Sequence, residues 1–256
     1  MKKITKALNT AVAILALGGS SLTAGEPAIS GSLSLDANTH FISYGADVWG
    51  AGTDPDVLFN PSIGVSLDLG NGFTVNTGTW YDINDQAVSS LKGDFQEIDV
   101  WLGVSYAAEE FTFDVTFQQW YYASETEGIL DFTISSNNWK FNPYAKAHVR
   151  IEGVGGQDEG AIFAFGGSHS FAGGDVSFSI PLEIAVATDD YHGGDSGVAY
   201  VTTGLGFSVP MSSIPDGLGS WDFHGGLNGY YTVDDVIPGN VDDTFLTFSM
   251  GVGVNW

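Results

Sequence analysis

Apolar and polar residues alternate with a period of two along most of this chain. From Phe245 to Trp256, the side chains Leu246, Phe248, Met250, Val252, Val254 and Trp256 alternate with Thr247, Ser249, Gly251, Gly253 and Asn255. Successive side chains of a strand point to opposite faces, so this segment has one apolar and one polar face. The pattern recurs upstream. Ile63, Val65, Leu67 and Leu69 oppose Ser62, Gly64, Ser66 and Asp68, and Ile98, Val100, Leu102 and Val104 oppose Glu97, Asp99 and Gly103. Phe178, Ile180, Leu182 and Ile184 oppose Ser177, Ser179 and Glu183. Twelve strands are predicted, over 30–44, 57–69, 73–82, 95–106, 111–122, 129–135, 140–153, 160–171, 175–187, 197–209, 220–232 and 243–256. Most exceed the five or six residues usual in globular sheets. They suit the roughly 9–11 residues that a tilted strand needs to cross a bilayer. The weakest is 129–135, where only Leu130, Phe132 and Ile134 alternate, so ten strands is the alternative count.

The connections carry a second pattern. Those at 70–72, 107–110, 136–139 and 172–174 are short, and Gly70-Asn71-Gly72 holds the Asn-Gly pair favoured in tight hairpins. Those at 45–56, 83–94, 123–128, 154–159, 188–196 and 233–242 are mostly longer and acidic. The connection 210–219 departs from the alternation, since it should be short but contains Pro210 and Pro215.

Composition narrows the setting. Residues 1–25 have the form of a secretory signal: Lys2, Lys3 and Lys6, then the apolar run Ala7–Leu17, then small residues near Ala24 and Gly25. That run is too short to span a bilayer as a helix, and no other stretch is more apolar. Residues 26–256 then form one β domain. They carry Lys92, Lys140, Lys146 and Arg150 as their only fixed positive charges, against all 31 acids. Nucleic-acid binding, which needs a basic footprint, is excluded by this balance. With no cysteine, an exported chain must rely on sheet pairing and packing rather than disulfides.

A closing strand that ends on an aromatic, in phase with its apolar face, resembles the C-terminal signal of the bacterial outer-membrane β-barrels. The signal segment, the paired strands and Trp256 carry this resemblance over residues 26–256. Within that family the chain looks most like small porins. The resemblance implies an all-β fold, a transmembrane antiparallel up-and-down barrel of about 12 strands. It also implies export to the outer membrane of a Gram-negative-type cell and contact with lipid and lipopolysaccharide. Insertion by the outer-membrane assembly machinery would read Phe248 and Trp256. It transfers no catalytic or ligand residue. The competing architecture, a secreted β-sandwich, would have shorter strands and polar edges.

The inward-facing residues are the candidates for chemistry. On strand 140–153, Lys140, Lys146, His148 and Arg150 share one face. A charge on the lipid face near mid-bilayer would cost about 2–4 kcal/mol, so this face points into the lumen. Opposing inward residues are Asp36, His40, Glu97, Asp99, Asp114 and Asp131. Together they are expected to line a pore. Acids outnumber bases there, which predicts a cation-preferring passive channel for ions or small polar solutes. The alternative is a barrel whose interior charges pair and fill it, leaving a non-conducting scaffold that displays acidic loops. Trp80, Trp120, Tyr122, Tyr200 and Tyr230 also face inward near the long-loop end. They would either stack a solute or plug the mouth.

No enzyme is expected. Ser168-His169-Ser170 is the one suggestive cluster, but neighbours on a strand face opposite ways and Ser168 and His169 do not pair. No cofactor is expected. The acidic groups Asp189, Asp190, His192 and Asp195, or Asp234, Asp235, Asp242 and Asp243, lack the spacing of a dedicated calcium loop, so no metal site is assigned.

Overall fold

Twelve long antiparallel strands pair edge to edge until the last meets the first. The computed structural model describes residues 28–49, 57–85, 91–123, 125–136, 138–153, 159–189 and 191–256. The signal segment 1–25 lies outside the described residues. The strands are β1 (Ala28–Asn38), a short pair β2 (Ile42–Ser43) and β3 (Ala46–Asp47), β4 (Leu58–Gly70), β5 (Phe73–Ile83), β6 (Phe95–Ala107) and β7 (Phe111–Tyr121). There follow β8 (Thr126–Ser136), β9 (Tyr144–Glu152), β10 (Gly160–Gly173), β11 (Val176–Ala187), β12 (Gly197–Pro210), β13 (Ser220–Thr232) and β14 (Thr244–Asn255). All except β2 and β3 belong to one closed barrel, in which each strand pairs with its sequence neighbours and β1 pairs with β14. Residues 28 and 256 and the short turns mark one end, called the lower end below; the long loops mark the upper end.

The seam follows from the sequence alternation. β1 and β14 pair from Ser32↔Asn255 to Asn38↔Ser249. Beyond the last strand residue, the backbones of Gly31 and Trp256 exchange two hydrogen bonds of 3.0 and 3.1 Å. A side chain at Gly31 would run into the Trp256 indole, so glycine gives the terminal aromatic its seat on the outer wall. Outward side chains such as Ile63, Val115, Phe132, Phe165, Leu182 and Leu246 are all exposed. An apolar belt this continuous is far larger than the patches soluble monomers expose. A sheet facing lipid must pair every backbone group, and closure meets that requirement.

Inside the seam, Gly251 and Gly253 of β14 leave room that side chains of β1 and β13 fill. His224 on β13 lies 2.7 Å from Asp222 through Nδ1 and 2.7 Å from Asp36 on β1 through Nε2. Ser34 donates to Asp36 at 2.7 Å. A polar bridge thus spans three strands across the closing one.

Differences from the sequence reading have local causes. The count is twelve, not ten, and the weak sixth strand is longer than expected, Thr126–Ser136. The first strand stops at Asn38 rather than 44, because Thr39–Asp47 turn inward as the β2–β3 hairpin. Its tip, Tyr44-Gly45, has φ of 48° and 89°, the positive pair of a tight two-residue hairpin. Asn71 and Gly72 make the same turn, as their sequence predicts, with φ of 54° and 84°. The strand expected over 140–153 begins only at Tyr144, since Asn142 takes φ of 44° and ends a turn. Lys140 therefore sits exposed in that turn instead of on the pore wall. The proline-containing connection 211–219 closes as a single 3₁₀ turn, Asp216–Leu218.

A side chain at Gly251 would push between Asp36 and His224. Gly251→Val should destabilise the barrel by about 1–3 kcal/mol, the usual cost of overpacking. The check is the temperature at which the fast-migrating form on SDS gels is lost, which should fall. An unchanged temperature would show that the bridge contributes nothing to closure.

Candidate functional site: the lumen and its constriction

The chain that leaves β1 crosses the lumen instead of rising into solvent. Its hairpin is gripped at every edge. Asn240, from the last long loop, accepts the Asp47 N–H at 2.8 Å and donates to the Gly45 carbonyl at 2.9 Å. The same amide donates to Thr232 at 3.1 Å. Trp49 donates from Nε1 to Asp82 at 2.9 Å, and Phe41 packs 5.0 Å from Trp80. At the tip, the Tyr44 ring lies 3.8 Å from that of His148, centroid to centroid. A bulky residue with positive φ is a strained one, and surrounding contacts must hold it. Behind the hairpin lies a buried cluster that includes Ile162, Ala164, Ala185, Tyr191, Tyr200 and Ile237. The alanines on β10 and β11 leave the space that the hairpin and loops occupy.

The basic residues of β9 hold this assembly rather than stand free. His148 is fully buried and lies 2.6 Å from Asp131. Arg150 pairs with Glu127, donates to the Tyr191 carbonyl at 2.7 Å, and lies 4.0 Å over the Tyr191 ring. Lys146 faces the Tyr44 ring at 5.6 Å. His40 is in the inward segment, not on the wall, and pairs with Asp47 at 3.0 Å. Asp36 is at the seam, and Asp114 bonds Ser105. Like Asp114, Glu97 and Asp99 pair with no Lys, Arg or His side chain among the described residues. Glu97 accepts from Tyr122 at 3.3 Å, and one oxygen of Asp99 is buried with no partner.

The mouth aromatics are largely consumed by packing. Trp80 meets Phe41, Trp120 lies 5.6 Å from the His148 ring, Tyr200 bonds Glu183, and Tyr230 stacks on Phe245 at 5.2 Å. Phe248 is on the outer wall, where its backbone bonds Thr39 of the first strand's extension.

What remains open is a series of cavities. One of 370 Å³ lies beside the hairpin at the upper end, lined by residues including Arg150, Tyr191 and His192. One of 330 Å³ lies beneath it, lined by Tyr44, Asp99, Lys146 and Glu183 among others. Both touch Phe41, Ser43, Glu97 and Trp120, so they adjoin at the slot between the hairpin and the β6–β7 wall. The second shares Gln118 and Lys146 with a chamber of 600 Å³ below. That chamber shares Asn76 and Trp101 with a cavity of 380 Å³ near the lower rim.

The closed antiparallel ring of twelve strands, with its apolar outside and polar inside, decides the fold. This is the fold of the outer-membrane β-barrels. No protein-family model and no curated protein matches the chain. Among solved structures, it is similar to the NanC porin, with a TM-score of 0.50, 13% identity, and coverage of 87% of this chain and 98% of that one. LpxR from Salmonella typhimurium is similar at a TM-score of 0.44 and 11% identity, covering 87% and 99%. The translocator domain of the autotransporter NalP from Neisseria meningitidis gives 0.44 and 10%, covering 100% and 95%. At such identities the likeness is one of fold.

Several residues of this barrel's lumen escape sequence reasoning. Asn240, Tyr191 and His192 come from loops with no periodic signal. His224 does alternate with Asp222, and the glycines opposite them are visible, but only the strand register makes them neighbours. Ser168 and His169 do face opposite ways: His169 is exposed outside, 6.3 Å from the Phe171 ring.

His192 provides a pH-sensitive contact in the upper loops. Its Nε2–H donates to the Tyr44 carbonyl at 3.0 Å. Burial lowers its pKa to about 4, and the nearby Arg150 and His148 push the same way against that hydrogen bond. In the undocked loop the group titrates near 6.5. Docking is therefore fully favourable above about pH 6.5 and weakens as pH falls toward 4. Proteolysis of loop 188–196 in the folded barrel should accelerate over that window. His192→Gln should flatten the dependence; an unchanged profile would contradict this assignment.

Proposed function

We propose that this barrel spans the bacterial outer membrane and works as a passive, constricted channel for cations and small polar solutes. The observation that carries the reading is the series of adjoining cavities from the loop end to the terminal end, passing the hairpin at one slot. The slot is bordered by Glu97, with Asp99 beside it beneath the hairpin, while Arg150 and His148 are neutralised by Glu127 and Asp131. Glu97 and Asp99 hydrogen-bond each other, which needs a proton on one of them, and the single negative charge the pair keeps in this narrow passage favours cations and repels anions. Export by the N-terminal signal, insertion by the assembly machinery and contact with lipopolysaccharide belong to the same reading. The chemistry is transport without catalysis.

A second reading is a filled scaffold that displays acidic loops. The buried cluster behind the hairpin favours it, because the upper end is packed on that side. Current separates the two readings. In planar bilayers with a salt gradient, the purified barrel should pass current with a reversal potential of cation preference. Glu97→Gln with Asp99→Asn should move that potential toward zero and leave folding intact. Anion preference, or silence from a folded sample, would overturn the channel reading.

A further inference from the structure

The lower chamber contains one large aromatic that nothing in the fold consumes in the way the mouth aromatics are consumed. Trp101 of β6 pairs with Gly78 of β5, which pairs with Gly64 of β4. A side chain at Gly78 would collide with the indole, and one at Gly64 would reach it at 4.0 Å. The ring thus lies over two successive positions without side chains, flat against the wall. It borders both the 600 Å³ chamber and the 380 Å³ cavity. Glycine cover by an aromatic is a known stabilising device in sheets. That device explains why the ring lies flat; it does not fill the open space beside the ring, which hydrogen-bonding groups line.

Those groups include Asn76, Asp114, Thr116, Gln118, Thr133 and Lys146. They are short hydroxyls, amides and single charges of both signs. Lys146 makes no carboxylate ion pair among the described residues. The chamber's volume falls within the roughly 300–1,000 Å³ of small-molecule sites. A flat apolar face surrounded by donors and acceptors matches a pyranose ring, whose C–H face is apolar and whose rim is hydroxyl. It matches a phosphorylated or strongly anionic solute poorly, because Asp114 and Asp131 line the same wall.

We propose that this chamber is a binding site for neutral oligosaccharides, with Trp101 as the stacking platform. The proposal deepens the channel reading by naming a solute class, yet binding at this site does not require current. The test is calorimetric titration of the folded barrel in detergent with maltotriose, cellotriose and chitotriose, with adenosine as the competing stacking ligand. At least one trisaccharide should bind. Trp101→Ala should weaken it about tenfold, Trp101→Phe less, and Thr116→Val by a smaller factor with the wall intact. Trp221→Phe, on the outer wall, should leave binding unchanged. If Trp101→Ala does not fold, the Phe and Val variants carry the decision. Absence of binding by all three sugars, wild-type affinity in the Trp101 and Thr116 variants, or binding of adenosine alone would overturn the assignment. A silent barrel that binds sugar would sink the channel reading and leave this site standing.

Discussion

The structure depends on one constraint: in hydrocarbon, a backbone N–H or C=O has no water to turn to. Each strand must therefore be paired on both edges, and the first must find the last. The pairing of β1 with β14 closes the ring and fixes which side of every strand is inside. A slip of β1 by one residue would send its apolar set inward and Asp36 into lipid. The seam is accordingly reinforced on both faces. Outside, Trp256 sits on Gly31; inside, Asp36, His224 and Asp222 bridge over Gly251 and Gly253. Glycine is used three times there because each contact needs the volume a side chain would take.

Closure creates a polar interior whose charges must then be reconciled. Three basic side chains on one strand, placed opposite many acids, could have lined an open pore. Two of them are instead paired, with Asp131 and Glu127, and all three meet Tyr44 or Tyr191. Burying an unpaired charge would be costly, and pairing also fixes the hairpin and loop in place. Glu97 and Asp99, which have no basic partner among the described residues, face the hairpin across the slot. Constriction and residual charge thus arise from the same folding event.

The sequence is most informative where one physical rule acts alone. Strand number, the inside and outside faces, the Asn71-Gly72 turn and the terminal aromatic all follow from period-two patterning or turn chemistry. Where rules compete, the sequence misleads. Ile42 and Ser43 look like the end of a first strand, but the Tyr44-Gly45 tip turns them into an inward hairpin. Lys140 keeps phase with Lys146, yet Asn142 breaks the strand between them. Trp80 and Tyr200 look like a mouth platform until the chain entering the lumen packs against them, and Trp120 until it meets the His148 ring. Trp101 carries the same inward signal, and only the glycines on two neighbouring strands distinguish it. The contacts of Asn240, Tyr191 and His192 depend on loop paths that no local pattern encodes.

Cysteine cross-linking across the seam tests closure most directly. Ala37 and Met250 are partners on the outer face of β1 and β14. With cysteines at both, a short thiol cross-linker in native membranes should join them efficiently, and the linked chain should still migrate as a heat-modifiable barrel. Failure to link, or a preference for pairing Ala37→Cys with Phe248→Cys or Val252→Cys, would contradict the closed ring in this register.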